Sequence, residues 1–187
     1  LMEDELRQAV RLMQDLGAEF CDARHQESRT LSIAVSNHEL RSMSNGRLAG
    51  VGLRARIGGS WGFAASADMD RKSVAEMARK AVRAARSGSS PGKPIPEQPS
   101  RTGNYRAKAR IPPATVPIEE KLAMVKDLDE AQKISDKIVN TNALYAEGLR
   151  ITTLANSFGS LLRWEDGRIR LIANAVAADS GRMEAYR

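Results

Sequence analysis

One pentapeptide, GGSWG at residues 58–62, has the spacing of a catalytic serine. Gly-x-Ser-x-Gly is the nucleophile elbow of serine hydrolases, in which a sharp turn between a buried strand and a helix exposes the serine. Here Ser60 stands between two segments of alternating polarity, and the next helical pattern begins several residues later. A triad would also need a histidine after the serine, whereas His25 and His38 both precede it. The sequence therefore predicts a Gly58-Gly59 hairpin turn, and we assign no catalytic residue.

A second glycine pattern, GVG at residues 50–52, has the spacing with which a dinucleotide-binding loop begins. That loop needs a third glycine at the position of Ala55 and a helix directly after it. Glycines within a strand more often mark a bulge or the close approach of another backbone. We therefore assign no cofactor-binding residue.

Cys21, His25 and His38 are the side chains that could ligate a metal ion. Cys21 and His25 share one face of either a helix or a strand, and a hairpin could bring His38 near them. No Cys-x-x-Cys or His-Glu-x-x-His motif accompanies them, and Cys21 beside Phe20 suits a small core residue. We therefore predict core or surface roles for all three and no metal ligand.

The composition is that of a globular protein, with 42% hydrophobic and 28% charged residues among 187. No apolar run is long enough to span a bilayer, so no membrane partner is expected. A single cysteine fits a reducing cytoplasm. The net charge of +6 raises the alternative of a nucleic-acid-associated module. However, only Tyr105 lies among clustered basic residues where it could stack on a base, so a solvated basic surface is favoured.

The candidate residues belong to a run of predicted strands joined by hairpin turns. RTLSIAVS at residues 29–36 alternates in polarity, and Asn45-Gly46 is typical of a turn. The Gly58-Gly59 turn is then expected to return Trp61 and Phe63 to the apolar face of an antiparallel sheet. The apolar residues opposite them are Val51, Leu53 and Ile57.

Helical periodicity brackets these strands. Apolar spacing predicts helices over residues 3–16 and 70–86, with the second helix covering the sheet. A third helix is expected over about 117–135, because Pro117 suits the first helical position and Glu119 and Glu120 favour the positive end of the helix dipole. All seven prolines lie between residues 87 and 117, which indicates a linker. Later strands are expected to be separated by further turns, at Glu147-Gly148, Asn156 to Gly159 and Asp166-Gly167.

The predicted fold class is α+β, with two small domains, each an antiparallel sheet with helices packed on one face, joined by a Pro-rich linker. The expected boundaries are 1–88 for the first domain, 89–117 for the linker and 118–187 for a second, truncated domain.

Several of these segments occur in an order that resembles a known family. GAEFCDAR, ELRSMS, GVGLR, WGFAA and an alanine-rich helix follow one another between residues 17 and 87. In this combination the chain resembles the first domain of the TldD/PmbA family, and ITTLANSFGSLLRW with RLIANAVAADSG is similar to its second domain. The residues that carry this fingerprint, in structural roles, are Gly50, Gly52, Arg54, Trp61, Gly62 and Phe63.

The resemblance implies a part in peptide processing. Members are often described as modulators of DNA gyrase and are similar to zinc-dependent peptidases. Their zinc motif, His-Glu-x-x-x-His, lies in a C-terminal domain absent from this sequence, so no ligand or catalytic residue carries over. The metal there would activate water or polarise the scissile carbonyl. Some members lack the motif and act as the non-catalytic partner of a heterodimer.

The chain is therefore expected to be an N-terminal, non-catalytic portion that shapes the peptide-binding chamber or the interface of a homodimer or a heterodimer with a paralogue. Exposed sheet edges in either half are expected to be able to pair with an extended peptide.

Overall fold

The computed structural model describes residues 2–88, 92–106 and 108–186. Its described part combines helices with a mostly antiparallel sheet, which confirms the α+β class. No described helix is both long and apolar enough to cross a membrane. The elements are α1 (Met2–Asp15), β1 (Phe20–Ser36), β2 (Glu39–Ile57), β3 (Ser60–Ser66), α2 (Arg71–Ser87), β4 (Thr102–Arg106), α3 (Ile118–Glu130), β5 (Ile138–Asn156), β6 (Leu161–Asp179) and β7 (Arg182–Tyr186).

The strands are hydrogen-bonded in the order β3-β2-β1-β5-β6-β4, and β7 also pairs with β6. The β2–β3 and β6–β7 pairs are antiparallel, whereas β4 runs parallel to β6 with Thr102 beside Leu161. Strand β4 lies in the segment predicted as a linker, where prolines before and after it hid the strand pattern.

The chain forms two compact units that are interleaved along the sequence. Unit 1 consists of Leu1–Glu27, Leu48–Arg106 and Arg150–Asp166, and unit 2 of Ser28–Arg47, Ala107–Leu149 and Gly167–Arg187. Each unit thus takes segments from both halves of the chain, whereas the predicted boundaries at 88 and 117 are sequential.

In unit 1, α2 packs on β3, as the periodicity predicted, and α1 packs against α2. Asp70 caps α2, since its carboxylate accepts hydrogen bonds from the amides of Lys72 and Ser73 at 2.7 and 3.0 Å. The Ser73 hydroxyl also donates to this carboxylate, at 2.7 Å, and the two bonds from Ser73 lower the pKa of Asp70 to about 2. The core combines the apolar stripes of the helices with alternate strand residues. It includes Leu6, Val10, Met13, Cys21, Val51, Leu53, Val74, Ala78 and Val82.

Three predicted turns are wrong. Asn45-Gly46, Glu147-Gly148 and Asp166-Gly167 lie inside the long strands β2, β5 and β6. None of these glycines has the positive φ that such turns require. Pairing with neighbouring strands along the full length satisfies these backbones, so the local turn preference is overridden.

The turn between β1 and β2 is instead made by Asn37 and His38, whose φ angles are 50° and 66°. Asparagine tolerates this left-handed conformation better than most residues. Contacts within unit 2 hold the turn: the His38 amide donates to the carboxylate of Asp129 at 2.8 Å, and the Thr141 amide donates to Asn37 Oδ1 at 3.0 Å. Asp129 is fully buried, so α3 fixes the conformation of this hairpin.

The Gly58-Gly59 turn is confirmed, with both glycines at positive φ and Ile57 paired with Ser60. The orientation predicted for the following strand is wrong. Trp61 and Phe63 are 49% and 63% exposed, on the face of β3 away from the helices. Gly62 faces α2, where an added Cβ would lie 2.0 Å from the carbonyl oxygen of Ala81. This close approach of helix and strand requires glycine on the inner face and therefore turns both aromatic residues outward.

In unit 2, α3 packs on strand residues through a separate apolar cluster of Leu31, Ile33, Val35, Val125, Ala143 and Tyr145. Lys121 is buried beside it and donates to Glu147 at 2.9 Å. Glu147 also accepts a hydrogen bond from the Tyr145 hydroxyl. Burial, together with this bond, raises the pKa of Tyr145. The buried ammonium is thus paired, as burial requires.

Candidate functional site

Ser60 lacks the setting of a catalytic nucleophile. It is the first residue of β3, and strand rather than helix follows it. Its side chain is 5% exposed and lies against the end of α2, where a Cβ added to Gly88 would approach its hydroxyl oxygen to 2.8 Å. A nucleophile elbow presents its serine at the surface of a strand-to-helix turn, so this geometry does not support hydrolysis by Ser60.

The three candidate metal ligands do not fit a zinc site. Cys21 is fully buried in unit 1 and its thiol donates to the carbonyl of Val10 at 3.4 Å. Burial lowers the pKa of His25, whose Nε2 has no hydrogen-bond partner within the described residues. Across residues 2–88, 92–106 and 108–186, no group of three or more His, Cys, Asp or Glu side chains could hold a metal ion. A structural zinc site needs about four such ligands converging on one point.

A cluster of aromatic and charged side chains in unit 1 lies on the sheet face away from α1 and α2. We call this surface the arginine–aromatic face and define it by Phe20, Asp22, Arg54, Trp61 and Phe63. These residues alternate along β1, β2 and β3 with strand positions that point toward the helices, so the period of two places them together on the opposite side. The result is an open surface rather than an enclosed pocket.

An ion pair organises this face. The Arg54 Nε donates to both carboxylate oxygens of Asp22, at 3.1 and 3.0 Å, and the Arg54 Nη2 donates to Oδ2 as well. Asp22 is 4% exposed, whereas half of the Arg54 side chain is open to solvent. The bonds to Asp22 raise the pKa of Arg54, so the guanidinium is held charged and fixed in direction.

A chain of aromatic rings begins at the ion pair. The Arg54 guanidinium lies 5.5 Å from the centroid of Trp61, and Phe20 meets Trp61 edge-on at 5.8 Å. Phe20 also contacts Phe158 at 5.1 Å. Both contact types add to the energy of simple burial. Trp61 is therefore held on two sides while much of its ring stays exposed.

Most of the predicted fingerprint residues lie on this face. Arg54, Trp61 and Phe63 provide its side chains, while Gly50 and Gly52 leave space over β2. A Cβ at Gly52 would lie 3.3 Å from the Phe63 ring, and one at Gly50 would lie 3.0 Å from the Ser66 carbonyl oxygen. Gly62 is the exception, because it faces α2. That these six residues share a role stays a prediction.

Sequence reasoning missed Phe20, Asp22 and Phe158 as members of this arrangement. A signal for Asp22 was available: it is a charged residue between Cys21 and Ala23 in a strand with a buried inner face. Phe20 and Phe158 are far apart in sequence, so their contact depends on the pairing of strands distant along the chain.

Residues 21–85 match PmbA/TldA metallopeptidase domain 1, and residues 111–187 match the PmbA/TldA metallopeptidase central domain. Together the two matches cover most of the chain, in the order that the family has them. The chain belongs to the PmbA/TldA metallopeptidase family.

The first PmbA/TldA match contains Asp22, Arg54, Trp61 and Phe63 of the arginine–aromatic face. A metalloprotease of Methanothermobacter thermautotrophicus is 33% identical over 161 residues, which are 86% of this chain and 35% of that protein. A metalloprotease of Archaeoglobus fulgidus is 26% identical over 146 residues, which are 78% of this chain and 32% of that protein. The chain thus spans about a third of the length of these PmbA/TldA relatives.

Solved structures show the same fold at 16% identity. A proposed modulator of DNA gyrase from Bacteroides thetaiotaomicron matches with a TM-score of 0.80, over 97% of this chain and 43% of its own. A second proposed gyrase modulator, from Thermotoga maritima, matches with a TM-score of 0.75, over 99% of this chain and 42% of its own. TldE from Thermococcus kodakarensis matches with a TM-score of 0.67, over 96% of this chain and 40% of its own.

Proposed function

We propose that this chain is the N-terminal, non-catalytic portion of a TldD/PmbA-type metallopeptidase and helps to form its peptide chamber or its dimer interface. The observation that carries the proposal is the pair of consecutive matches, to domain 1 and to the central domain of the family. Relatives described as metalloproteases are about three times as long as the matched region, which leaves room for a separate metal-binding part.

The side chains in the described part of this chain support a structural role rather than a catalytic one. The buried titratable groups are used in packing: Lys121 pairs with Glu147, Asp129 holds a hairpin, and Arg56 donates to Glu19 and to two carbonyls. The arginine–aromatic face has the composition of contact surfaces, in which arginine and large aromatic residues are enriched. Zinc, when held by the remainder of such a parent protein, would supply the hydrolytic chemistry.

A chimera tests this proposal. The matching region of the Methanothermobacter thermautotrophicus metalloprotease is replaced by this chain, and zinc content and peptide cleavage are measured for the chimera and for the chain alone. We expect the chain alone to bind less than about one zinc per ten molecules and to cleave no peptide. We expect the chimera to keep its zinc and to cleave peptides with an altered preference.

A chimera carrying Arg54→Ala and Trp61→Ala provides the matched comparison. If the face borders the chamber or an interface, this variant retains zinc but changes its KM or its oligomeric state. Stoichiometric zinc in the chain alone, or peptidase activity without the added region, would falsify the proposal.

A nucleic-acid-associated module is the second candidate, and helix α2 is the observation that favours it. Its residues Arg71–Ser87 include six basic side chains and one acidic side chain. Such a module would bind single-stranded DNA with an affinity that falls steeply as salt is added. If DNA binding vanishes near physiological salt and does not change when Trp61 is replaced, the basic residues of α2 form a solvated surface and not a nucleic-acid site.

A further inference from the structure

Strand β3 ends the sheet order of unit 1, and no strand in the described part of the chain pairs with its outer side. An edge strand presents unpaired backbone groups that can template another strand. Natural proteins commonly protect such an edge with charged side chains, prolines or a covering segment. Here the residues of β3 are SWGFAAS, without charge or proline.

The register identifies which backbone groups face outward. Ile57 and Ser60 flank the two-residue turn and form a hydrogen-bonded pair, and the pairing type alternates from there along an antiparallel ladder. Arg56 is opposite Trp61, and the Arg56 carbonyl accepts from the Glu19 amide at 2.8 Å, on the side of β2 away from β3. Trp61 and Phe63 therefore direct their amides and carbonyls to the free edge.

The two faces beside this edge differ in chemistry. Trp61 and Phe63 line the arginine–aromatic face with exposed apolar surface. On the other face lies α2, which packs against β3 and carries its six basic residues on its exposed positions. A strand added here would have one row of side chains beside aromatic rings and the other row on the side of α2. Lys80 and Arg83 are exposed on this helix, whereas Arg86 donates to the Leu16 carbonyl and Arg71 lines a groove beside α1.

We propose that the outer edge of β3 binds an extended acidic peptide segment as an added strand, with apolar and acidic side chains in alternation. Main-chain bonds to Trp61 and Phe63 provide affinity, and the positive charge of α2 selects for acidic residues. The inference goes beyond the proposed function, because it concerns this chain alone and holds for a catalytic or a non-catalytic parent.

A cleft of about 470 Å³ adjoins the start of this edge. Trp61 and Ser60 line it together with Lys93 and the glycines that follow α2. Lys93 adds a positive charge at that end of the edge. Arg56 also lines the cleft, but its guanidinium already donates to Glu19 and to the carbonyls of Gly92 and Lys93.

The test uses an octapeptide that alternates glutamate with valine. A second peptide has the same sequence but is N-methylated at the amides that would donate to β3. The full chain is compared with Phe63→Pro and Phe63→Ala, and binding is followed by tryptophan fluorescence and calorimetry. Proline removes the outward-facing amide of residue 63 without removing a ladder bond to β2. We expect Phe63→Pro to bind about tenfold more weakly than Phe63→Ala, since one main-chain hydrogen bond is lost.

N-methylation is expected to abolish binding by the wild-type chain, a readout that does not depend on any variant folding. Lys80→Glu with Arg83→Glu is expected to weaken the glutamate peptide and to strengthen a lysine–valine peptide. Equal binding of methylated and unmethylated peptide, no binding at all, or equal affinities of Phe63→Pro and Phe63→Ala would overturn the proposal. So would an oligothymidine that binds more tightly than the peptide and displaces it, which would favour the nucleic-acid candidate.

Discussion

Cys21 shows how packing in unit 1 sets the chemistry of a single side chain. The thiol is fully buried, donates to the Val10 carbonyl and lies beside Ser157, whose hydroxyl accepts from the Cys21 amide at 3.1 Å. Burial, only partly opposed by Ser157, raises the pKa of the thiol to about 12. Since the thiolate is the nucleophile, a reagent such as DTNB should react with the native chain at pH 8 at least about 10³-fold more slowly than with the unfolded chain.

The sign of the pH effect follows from the same shift. A raised pKa means that the folded state favours the neutral thiol, so this contribution to stability is complete below about pH 8.5 and declines as the pH rises toward 12. Unfolded chain in denaturant is the internal control for the labelling rate. Fast labelling of the native chain, at a rate unaffected by stabilising conditions, would show that Cys21 is not buried as described.

At this scale the sequence predicted some environments and not others. A core position suited Cys21, because it is a small residue beside Phe20. Trp61 and Phe63 were expected inside, because the alternation that resumes after the Gly58-Gly59 turn placed them on the apolar face. What turns them outward is the contact of Gly62 with the backbone of α2, and a strand pattern holds no information about a helix packed upon it.

Among the elements, the contact of β3 with α2 depends on one glycine. A Cβ at position 62 would lie 2.0 Å from the Ala81 carbonyl oxygen and 2.3 Å from the Ala85 amide nitrogen, both backbone atoms that cannot turn aside. Gly62→Ala must therefore displace the helix. We expect it to lower the free energy of unfolding by about 3 kcal/mol, at the upper end of overpacking substitutions. Chemical denaturation followed by circular dichroism measures this change.

Gly167→Ala is the matched control, because a Cβ there meets nothing within 4 Å and the residue has no positive φ. We expect its effect to stay within about 0.5 kcal/mol, as for exposed substitutions in general. The control also tests the strand assignment, since an Asp166-Gly167 hairpin turn would make alanine costly. A small effect of both substitutions would contradict the packing of α2 on Gly62, and a large effect of both would contradict the continuity of β6 at Gly167.

The helices were predictable from sequence and several turns were not, for a physical reason. A stripe of apolar residues and the cap at Asp70 predict helix α2, and both are local properties of the sequence. The dipeptides Asn45-Gly46 and Asp166-Gly167 also have local turn preferences, but pairing along β2 and β6 outweighs them. The true turn at Asn37-His38 depends on Asp129 from α3, a residue 91 positions from His38.

For the whole molecule, the interleaving of the two units is what sequence inspection could not supply. The composition change near residue 88 and the prolines up to residue 117 favour a sequential division, and both family matches avoid the centre of that segment. Yet unit 1 draws on residues 150–166 as well, and its core includes Ala155 and Leu161. The units are therefore defined by strand pairing between segments far apart in the chain.

A fragment of residues 1–88 distinguishes these two divisions. Without residues 150–166 it lacks Ala155 and Leu161 from the core. It also lacks Ser157, whose amide donates to the carbonyl oxygen of Cys21 at 2.9 Å. We expect the fragment alone to show no cooperative thermal transition and to expose Cys21 to DTNB, because its apolar face is left partly uncovered. Adding a separate fragment of residues 101–187 is expected to restore protection of Cys21, since it supplies the missing strands of unit 1. A cooperative transition in the 1–88 fragment alone, with Cys21 already protected, would show instead that the sequential boundary marks an autonomous domain.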